Sequence, residues 1–202
     1  MKTSISNPLS LARKAGVTFS TMMAALLLVS SQSLAATLDL GSSTSRTPYD
    51  SYFGPVFAVL GHLSGSQPDP AQVDEWVREG RAFRYSYNQS QPYNPQLPEQ
   101  TEAIKSGDCK AKSLWLAKKM DTRKVRYVVG KAKRGAAQGH VWLIWQSPEG
   151  WLILDATLFS RPLDPTRVSQ NEFIPIYSYS AEGKYVHAQA AARAESKYGD
   201  HL

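Results

Sequence analysis

The chain has 202 residues, of which 42% are hydrophobic and 20% are charged. That balance is ordinary for a globular protein and leaves room for one hydrophobic core rather than two. The net charge of +6 falls to +3 if the first 35 residues, which hold three basic and no acidic residues, are removed. Such mild basicity does not indicate nucleic-acid binding, and the cluster Lys131, Lys133 and Arg134 lacks the interleaved aromatic residues that would favour it.

The N-terminal stretch has the features of a secretory signal peptide. Basic residues precede an apolar run over 22–29, and small residues stand three and one positions before a cut after Ala35. The basic residues are Lys2, Arg13 and Lys14. We therefore predict a signal peptide over residues 1–35 and a periplasmic or secreted mature protein. The run is far shorter than the roughly 20 residues of a membrane helix, so no stable membrane span is expected after cleavage; an uncut signal anchor is the alternative.

The first half of the mature chain predicts helices and a loop. Residues 36–50 are rich in Ser and Thr without periodicity, which predicts a polar lead-in with no active residue before a single domain over 51–202. Apolar spacing predicts a helix around 53–60, and a second helix that follows it should end at Gly80. Residues 86–100 contain three prolines and several glutamines, so we predict a surface loop with no regular element.

The second half predicts a helix followed by an antiparallel sheet. The apolar positions of CKAKSLWLAKKM indicate a helix that begins at Cys109 and buries one face. Three runs rich in Val, Ile, Trp and Tyr follow, namely KVRYVVG, HVWLIWQ and WLILDAT. A turn over 147–150 pairs the last two as a hairpin in which residue i lies opposite residue 297 − i. FIPIYSYS and KYVHAQ predict further strands, and residues 188–198 predict a terminal helix, so the fold class is α+β.

Cys109 is the only cysteine of the chain. In an oxidising compartment a lone cysteine cannot form an internal disulfide, so Cys109 should be free or paired with another molecule. At a helix N-terminus the macrodipole and the unpaired N–H groups favour the thiolate, which is the nucleophilic form. The alternative is a buried, inert thiol in a capped helix.

A nucleophilic thiol needs a base, and the base needs a group that orients it. His140 begins one strand of the predicted hairpin and Asp155 lies near the end of the other. In the predicted register His140 faces position 157, two residues from Asp155, which puts both side chains on one face. A carboxylate in an apolar strand needs a partner when it is buried. We therefore predict Cys109 as nucleophile, His140 as base and Asp155 as the residue that orients His140.

Three blocks, GDCKAKSLWLAKKM, GHVWLIW and GWLILDAT, resemble the transglutaminase-like superfamily and are close to the bacterial transglutaminase-like cysteine proteinases. The resemblance covers about residues 70–160 and keeps the order Cys, His, Asp. It implies a papain/transglutaminase-like core, in which the catalytic cysteine opens a helix packed on an antiparallel sheet. The function it implies is an exported thiol hydrolase or acyltransferase, favoured as a cysteine peptidase or amidase that forms an acyl-enzyme with protein or peptide substrates of the cell envelope.

The resemblance also bears on the oxyanion and on cofactors. The family often places a polar side chain upstream of the cysteine to help hold the oxyanion, which favours Gln100 and then Gln96, beside the backbone N–H of Cys109. Adhesin-cleaving periplasmic members carry acidic residues directly after the cysteine and use calcium, whereas this chain has Lys110 and Lys112 there. These lysines should lie on the solvent face of the helix or add positive field at the thiol. We expect no cofactor, with calcium disfavoured, and the scattered histidines lack metal-ligand spacing.

Two other functions fit the same fold. One is a transglutaminase that uses an amine as acyl acceptor instead of water. The other is a non-catalytic periplasmic module that binds a peptide or polysaccharide in an aromatic groove, drawn from Trp142, Trp145, Trp151 and Tyr93. Strand alternation puts Trp142 on the His140 face and Trp145 on the opposite one, so part of this groove should be core. Loops over 86–106 and 130–139 flank the predicted site and are the candidates for specificity.

Overall fold

An antiparallel sheet of six strands forms the centre of the protein, whose structure is a computed structural model describing residues 38–90, 93 and 95–190. The strand order is β1-β8-β7-β4-β5-β6. The strands are β1 (Ser42–Thr44), β4 (Val125–Lys133), β5 (His140–Ser147), β6 (Gly150–Leu154), β7 (Glu172–Tyr179) and β8 (Lys184–Val186). The predicted signal peptide over 1–35 lies outside the described residues. Of the predicted terminal helix over 188–198, residues 188–190 are helical and residues 191–198 lie outside the described part.

Four α-helices, a short parallel strand pair and a 3-10 helix over Pro165–Arg167 accompany this sheet in the described residues. The helices are α1 (Gly54–Gly61), α2 (Pro70–Ala82), α3 (Pro98–Ile104) and α4 (Cys109–Met120), and the parallel pair is β2 (Arg84–Tyr85) with β3 (Ser106–Gly107). None of the described helices has the length and hydropathy to cross a membrane. The predicted α+β class, with the cysteine helix on an antiparallel sheet, is confirmed.

The hairpin of β5 and β6 has the predicted register. Ser147 lies opposite Gly150, and Leu143 lies opposite Leu154, so paired residue numbers sum to 297 as the turn position requires. The other edge of β5 pairs with β4, where Gly130 lies opposite His140. His140 thus begins β5 at the same end of the sheet at which β6 runs into Asp155.

Helix α4 is buried more completely than its sequence predicts. It packs on β4 and β5 while α1, α2 and α3 contact its other sides. The expected single buried face is therefore wrong, since Leu114, Leu116 and Ala117 have no exposed surface at all. Lys112, expected on the solvent face or in the field of the thiol, is also buried, and its Nζ donates a hydrogen bond of 2.6 Å to the carbonyl oxygen of Phe83. Phe83 directly follows the last residue of α2. The helical periodicity of α4 cannot predict this contact, because the acceptor lies on another element.

Gly80 is a packing residue rather than the end of α2. The helix continues to Ala82, and a Cβ at position 80 would lie 2.8 Å from both the Trp115 ring and the Ala156 Cβ. The missing side chain allows α2 to approach α4 and the turn that follows Asp155. A glycine near the end of a periodic stretch fits a helix stop equally well, so the sequence alone does not separate the two roles.

The predicted loop over 86–100 contains the start of α3, which begins at Pro98. Proline is well suited to the first turn of a helix, where its missing N–H is not needed. Gln100 caps this start, since its Oε1 accepts a hydrogen bond of 3.1 Å from the Leu97 N–H. The expectation of no regular element is therefore wrong for residues 98–100, because the proline that indicated a loop begins a helix.

The polar lead-in over 36–50 contributes an edge strand. Ser42–Thr44 pairs with β8, and Asp39 accepts hydrogen bonds from the backbone N–H groups of Gly41 and Ala188. Further along, the Thr47 hydroxyl is 2.8 Å from the Tyr179 hydroxyl. A three-residue edge strand is too short to show alternation, which is why this segment has no sequence signal.

Both faces of the sheet are covered. The main core lies between the helices and one face and includes Trp145, while a smaller cluster on the other face contains Trp142 and Phe173. The two tryptophans therefore lie on opposite faces, as strand alternation predicts, and both are buried.

Candidate active site

Cys109 opens α4 immediately after a capping aspartate. The carboxylate of Asp108 accepts a hydrogen bond of 2.9 Å from the Ala111 N–H, which stabilises the first turn. Gly107 permits this close approach, because a Cβ there would lie 2.8 Å from the Ala111 Cβ. Cys109 is a free cysteine and is 5% exposed, and it lines a cavity of about 540 Å³.

His140 and Asp155 form a buried pair at the end of the sheet. The Nε2 of His140 is 2.7 Å from Oδ2 of Asp155. The other carboxylate oxygen, Oδ1, accepts hydrogen bonds from the backbone N–H groups of Thr157 (2.9 Å) and Leu158 (3.1 Å). Asp155 has no exposed surface, so both of its oxygens are satisfied inside the protein. The imidazole also stacks on Trp142, with 6.0 Å between ring centroids.

The electrostatics favour a protonated imidazole. Burial by itself lowers the pKa of His140, but hydrogen bonds to Asp155 and to Cys109, together with the negative charges of both, raise it to about 9. Because Asp155 engages Nε2, Nδ1 is the ring nitrogen left for the Cys109 thiol. An imidazolium held between a carboxylate and a thiolate is the arrangement that activates a cysteine nucleophile.

The structure brings Cys109 and His140 to one cavity and places Asp155 behind the imidazole. This matches the predicted arrangement, in which the helix N-terminus presents the thiol and the hairpin end presents the other two groups. Chemically, such a site can attack a carbonyl carbon, move a proton and keep the imidazole oriented throughout. The catalytic roles themselves stay a prediction.

Neither glutamine favoured for the oxyanion lines this cavity in the described part of the chain. Gln100 caps α3 and is exposed. The Nε2 of Gln96 donates hydrogen bonds to the Thr101 hydroxyl (2.9 Å) and to the Ser106 carbonyl (2.7 Å). This geometry gives Gln100 a role in the helix start and Gln96 a role in attaching its loop to the segment before Cys109.

Lys110 lies at the mouth of the cavity. Its Nζ is 2.8 Å from the Asp108 carboxylate, and it lies 4.7 Å from the ring centroid of Tyr93 and 5.7 Å from that of Tyr87. The ammonium group is therefore paired with a neighbouring carboxylate as well as contacting two aromatic rings.

Among residues 38–90, 93 and 95–190, no three His, Cys, Asp or Glu side chains come together as a metal site.

Six tyrosine and phenylalanine side chains line the cavity. Its aromatic residues are Tyr49, Tyr52, Phe53, Tyr85, Tyr87 and Tyr93. Of the tryptophan groove proposed from the sequence, Trp142 and Trp145 are core residues and Trp151 packs on the far face of the sheet, so Tyr93 alone is at the site.

Sequence reasoning missed most of these residues. The segment over 36–50, in which no active residue is predicted, supplies Pro48 and Tyr49 to the cavity wall. Tyr85 is brought to the site by the two-residue pairing of β2 with β3, opposite Gly107. Each of the two loops predicted to flank the site, 86–106 and 130–139, contributes a residue to the cavity wall, namely Tyr87 and Gln138. Their role in specificity stays a prediction. Three tyrosines within nine residues, Tyr85, Tyr87 and Tyr93, were the one available signal.

The fold defined by these elements is the papain/transglutaminase-like fold. Solved structures of LapG from Legionella pneumophila share it. The EGTA-treated form is 21% identical with a TM-score of 0.50, over 68% of this chain and 75% of that one. Another LapG structure is 21% identical with a TM-score of 0.50, over 73% and 82% of the two chains. A calcium-bound LapG is 22% identical with a TM-score of 0.48, over 68% and 76%.

No protein-family model and no curated protein sequence matches this chain. At these identities the likeness to LapG establishes the fold alone. The predicted resemblance to the transglutaminase-like cysteine proteinases is confirmed at that level. What the chain does must be argued from its own site.

Proposed function

We propose that this protein is a cysteine peptidase or amidase in which Cys109 is the nucleophile, His140 the acid–base catalyst and Asp155 the residue that orients His140. The observation that carries the proposal is the 2.7 Å contact between His140 and the buried Asp155, with the imidazole beside Cys109 in one cavity. A structural histidine–aspartate pair would need neither a thiol at a helix N-terminus nor an open cavity next to it.

In the proposed reaction the Cys109 thiolate attacks the carbonyl carbon of the scissile amide. The π electron pair moves to the carbonyl oxygen, where the first backbone N–H groups of α4 can stabilise the charge. Collapse of this intermediate breaks the C–N bond, and the His140 imidazolium gives its proton to the leaving amine. Water then attacks the acyl-enzyme while His140 takes its proton, the C–S bond breaks, and a carboxylic acid and the thiolate–imidazolium pair result.

Substrate and location form part of the same proposal. A cavity lined by tyrosines and bordered by loops suits a peptide segment, and the features of residues 1–35 support export, so we propose protein or peptide substrates in the cell envelope. N-terminal sequencing of the protein from an envelope fraction checks the second part. A mature N-terminus near Ala36 is expected, and an intact N-terminus in the cytoplasm would contradict it.

Calcium does not enter the proposed reaction. LapG has been solved with calcium bound, but the residues next to Cys109 in this chain do not suit a cation. Positions 110 and 112 are lysines, and the one carboxylate beside the thiol, that of Asp108, is paired with Lys110 at 2.8 Å. A divalent cation there would have to displace an ammonium group and sit among positive charges, so no step is assigned to one.

Cleavage of a proteome-derived peptide library by the mature protein, read by mass spectrometry, tests the proposal. Wild type should generate new peptide termini, whereas Cys109→Ala should generate none. Ser113→Ala is the matched control, since Ser113 lies one turn further along α4 and bonds the Val141 carbonyl. Adding an amine such as monodansylcadaverine separates the two acyl acceptors: amine-labelled products would indicate transamidation. Identical digests from wild type and Cys109→Ala would overturn the proposal.

A further inference from the structure

The tip of the β4–β5 hairpin, residues 131–139, carries three basic side chains and no acidic residue. Lys133 lies opposite Glu172 in the ladder between β4 and β7, so part of its charge is compensated. Lys131 and Arg134 have neutral partners instead. The Nζ of Lys131 donates a hydrogen bond of 2.7 Å to the Ala137 carbonyl, and the Nε of Arg134 donates one of 2.8 Å to the side-chain oxygen of Asn171. These two contacts hold the side chains without neutralising their charge.

The hairpin tip adjoins the cavity that contains Cys109. The Ala137 carbonyl that binds the Lys131 ammonium directly precedes Gln138, and Gln138 lines the cavity together with His140. The positive charge of Lys131 therefore lies against the segment that forms one border of the cavity.

The tip also projects beyond the site. Gly130 lies opposite His140, and β4 continues three residues further to Lys133. At the rise of a strand this is about 10 Å. An extended polypeptide covers the same distance in about three residues, so a substrate bound at Cys109 has residues that reach the tip.

The charges of the cavity wall are compensated, whereas those of the tip are not. Lys110 is paired with Asp108, and His140 is paired with Asp155. Among the described residues that line the cavity, none is aspartate or glutamate. An excess of positive charge at this border therefore comes from the hairpin tip, and it favours negative charge in a bound substrate.

Arg134 is arranged to bind a carboxylate. Its backbone N–H donates to the Asn171 carbonyl at 2.7 Å, and its Nε donates to the side-chain oxygen of the same residue. The side chain is exposed. A guanidinium has five N–H donors, of which the Nε contact uses one, and its two Nη atoms match a carboxylate with two parallel hydrogen bonds. Because Asn171 already holds the side chain, less conformational entropy is lost when an acidic group binds.

We propose that the hairpin tip is an exosite that binds an acidic segment of the polypeptide substrate through Arg134 and Lys131, while Cys109 attacks a peptide bond a few residues away. A polypeptide is favoured over a nucleic acid because no aromatic residue is interleaved with the basic ones. Substrates should carry Asp or Glu within about three to five residues of the scissile bond, on one side of it. This inference rests on the proposed function.

The peptide-library digest with wild type gives the first test, since the sequences around the cut sites should be enriched in Asp and Glu at those positions. One cleaved peptide is then synthesised in three forms: with its acidic residues, with the matching amides, and with lysines in their place. Wild type should cleave the acidic form with a kcat/KM at least about fivefold above that of the amide form at low salt. About 0.3 M NaCl should reduce this preference, because salt screens exposed charges.

Arg134→Gln removes the charge but keeps an N–H donor for Asn171. For the acidic peptide its kcat/KM should fall at least about fivefold, through KM, while cleavage of the amide form and alkylation by iodoacetamide stay within about twofold of wild type. Arg134→Glu should reverse the preference toward the lysine form. The matched control is Lys124→Gln, an exposed lysine at the other end of β4, which should behave as wild type.

Four results would overturn the inference. They are cut sites without acidic enrichment, an unchanged KM for the acidic peptide in Arg134→Gln, an equal loss on the acidic and amide peptides, and loss of binding to phosphatidylglycerol vesicles with no change in peptide preference, which would make the tip a lipid-binding surface. Failure of the proposed function looks different, because wild type and Cys109→Ala would then give identical digests. The first four results leave the Cys109–His140–Asp155 assignment intact.

Discussion

The side chain of His140 connects the two halves of the candidate site. Its Nε2 contacts Asp155, it lines the same cavity as Cys109, and both neighbours raise its pKa, so its charge state depends on both. The backbone N–H groups that bind Oδ1 of Asp155 keep that carboxylate in place. The orientation of the imidazole is thus fixed by buried hydrogen bonds rather than by exposed ones.

Asp155→Asn should lower the pKa of His140. The substitution removes the negative charge at 2.7 Å, so the pKa should fall from about 9 toward the ordinary value. Proton NMR titration of the imidazole, assigned by comparison with His140→Gln, measures this directly. Asp164→Asn, in an exposed turn, is the control and should leave the pKa of His140 unchanged. A value near 9 in Asp155→Asn would mean that the aspartate does not set the protonation state.

The same pair affects stability in a defined direction. The pKa of His140 is higher in the folded protein than the ordinary value of about 6.5. Its stabilising contribution is therefore complete below about pH 6.5 and is lost as the pH rises through about 9. Asp155→Asn should lack this alkaline loss of unfolding free energy.

At the scale of elements, the site depends on how closely α2 approaches α4 and the turn after β6. Gly80 provides that approach, because its missing side chain leaves room for Trp115 and Ala156. Ala156 follows Asp155 directly, so the packing of α2 reaches the Asp155 carboxylate through one residue.

Gly80→Ala should destabilise the protein by about 1–3 kcal/mol, as overpacking a core contact usually does. Gly61→Ala at the end of α1 is the matched control, because a Cβ there meets nothing within 4 Å. Alanine is favoured over glycine in helices by up to about 1 kcal/mol, so the control should be neutral or stabilising. Urea unfolding of both variants measures the difference, and equal stabilities would contradict the packing role of Gly80.

The segment that leads into β1 contacts a buried histidine, His187, which directly follows β8. His187 is 2.9 Å from the Ser178 hydroxyl and 3.3 Å from the Asp39 carboxylate, with Arg126 adding positive charge nearby. Burial chiefly lowers the pKa of His187, against the opposing effect of Asp39. The folded protein therefore favours the neutral form of this histidine more strongly than the unfolded chain does.

Acid should loosen this attachment. Because the folded pKa of His187 lies below the ordinary value of about 6.5, the unfolded chain binds more protons below that pH and stability falls as the pH drops. His187→Gln keeps a polar side chain but cannot titrate, so its melting temperature should decline less than that of wild type between neutral and mildly acidic pH. His62→Gln, an exposed histidine, is the control. Equal declines in wild type and His187→Gln would contradict this assignment.

Across the whole molecule, the sequence predicts the elements that have a regular pattern and misses most features that depend on residues far away in the chain. Periodicity and one turn position were enough to predict the β5–β6 register and the start of α4 at Cys109. The edge strand Ser42–Thr44 and the burial of Lys112 depend on partners that are distant in sequence, so no local pattern reports them. The helix start at Pro98 was missed because proline is common both in loops and in the first turn of a helix.

The candidate site divides in the same way. Cys109, His140 and Asp155 each stand at the end of a regular element, so element geometry predicts their meeting. For the oxyanion the sequence suggested Gln100 or Gln96 but gave no geometry with which to choose one. The tertiary structure gives both glutamines other partners, because Gln96 bonds Thr101 and Ser106 and Gln100 bonds the Leu97 N–H.

The central claim is that Cys109 and His140 form an activated thiolate–imidazolium pair, and the pH dependence of Cys109 alkylation by iodoacetamide tests it most directly. Wild type should react rapidly at about pH 6, whereas His140→Ala should be at least about tenfold slower, because an ordinary thiol with a pKa of about 8.5 is almost fully protonated there. His62→Ala should behave as wild type. Alkylation of wild type that rises only near pH 8.5, and equally in His140→Ala, would contradict the claim and leave Cys109 as an inert thiol.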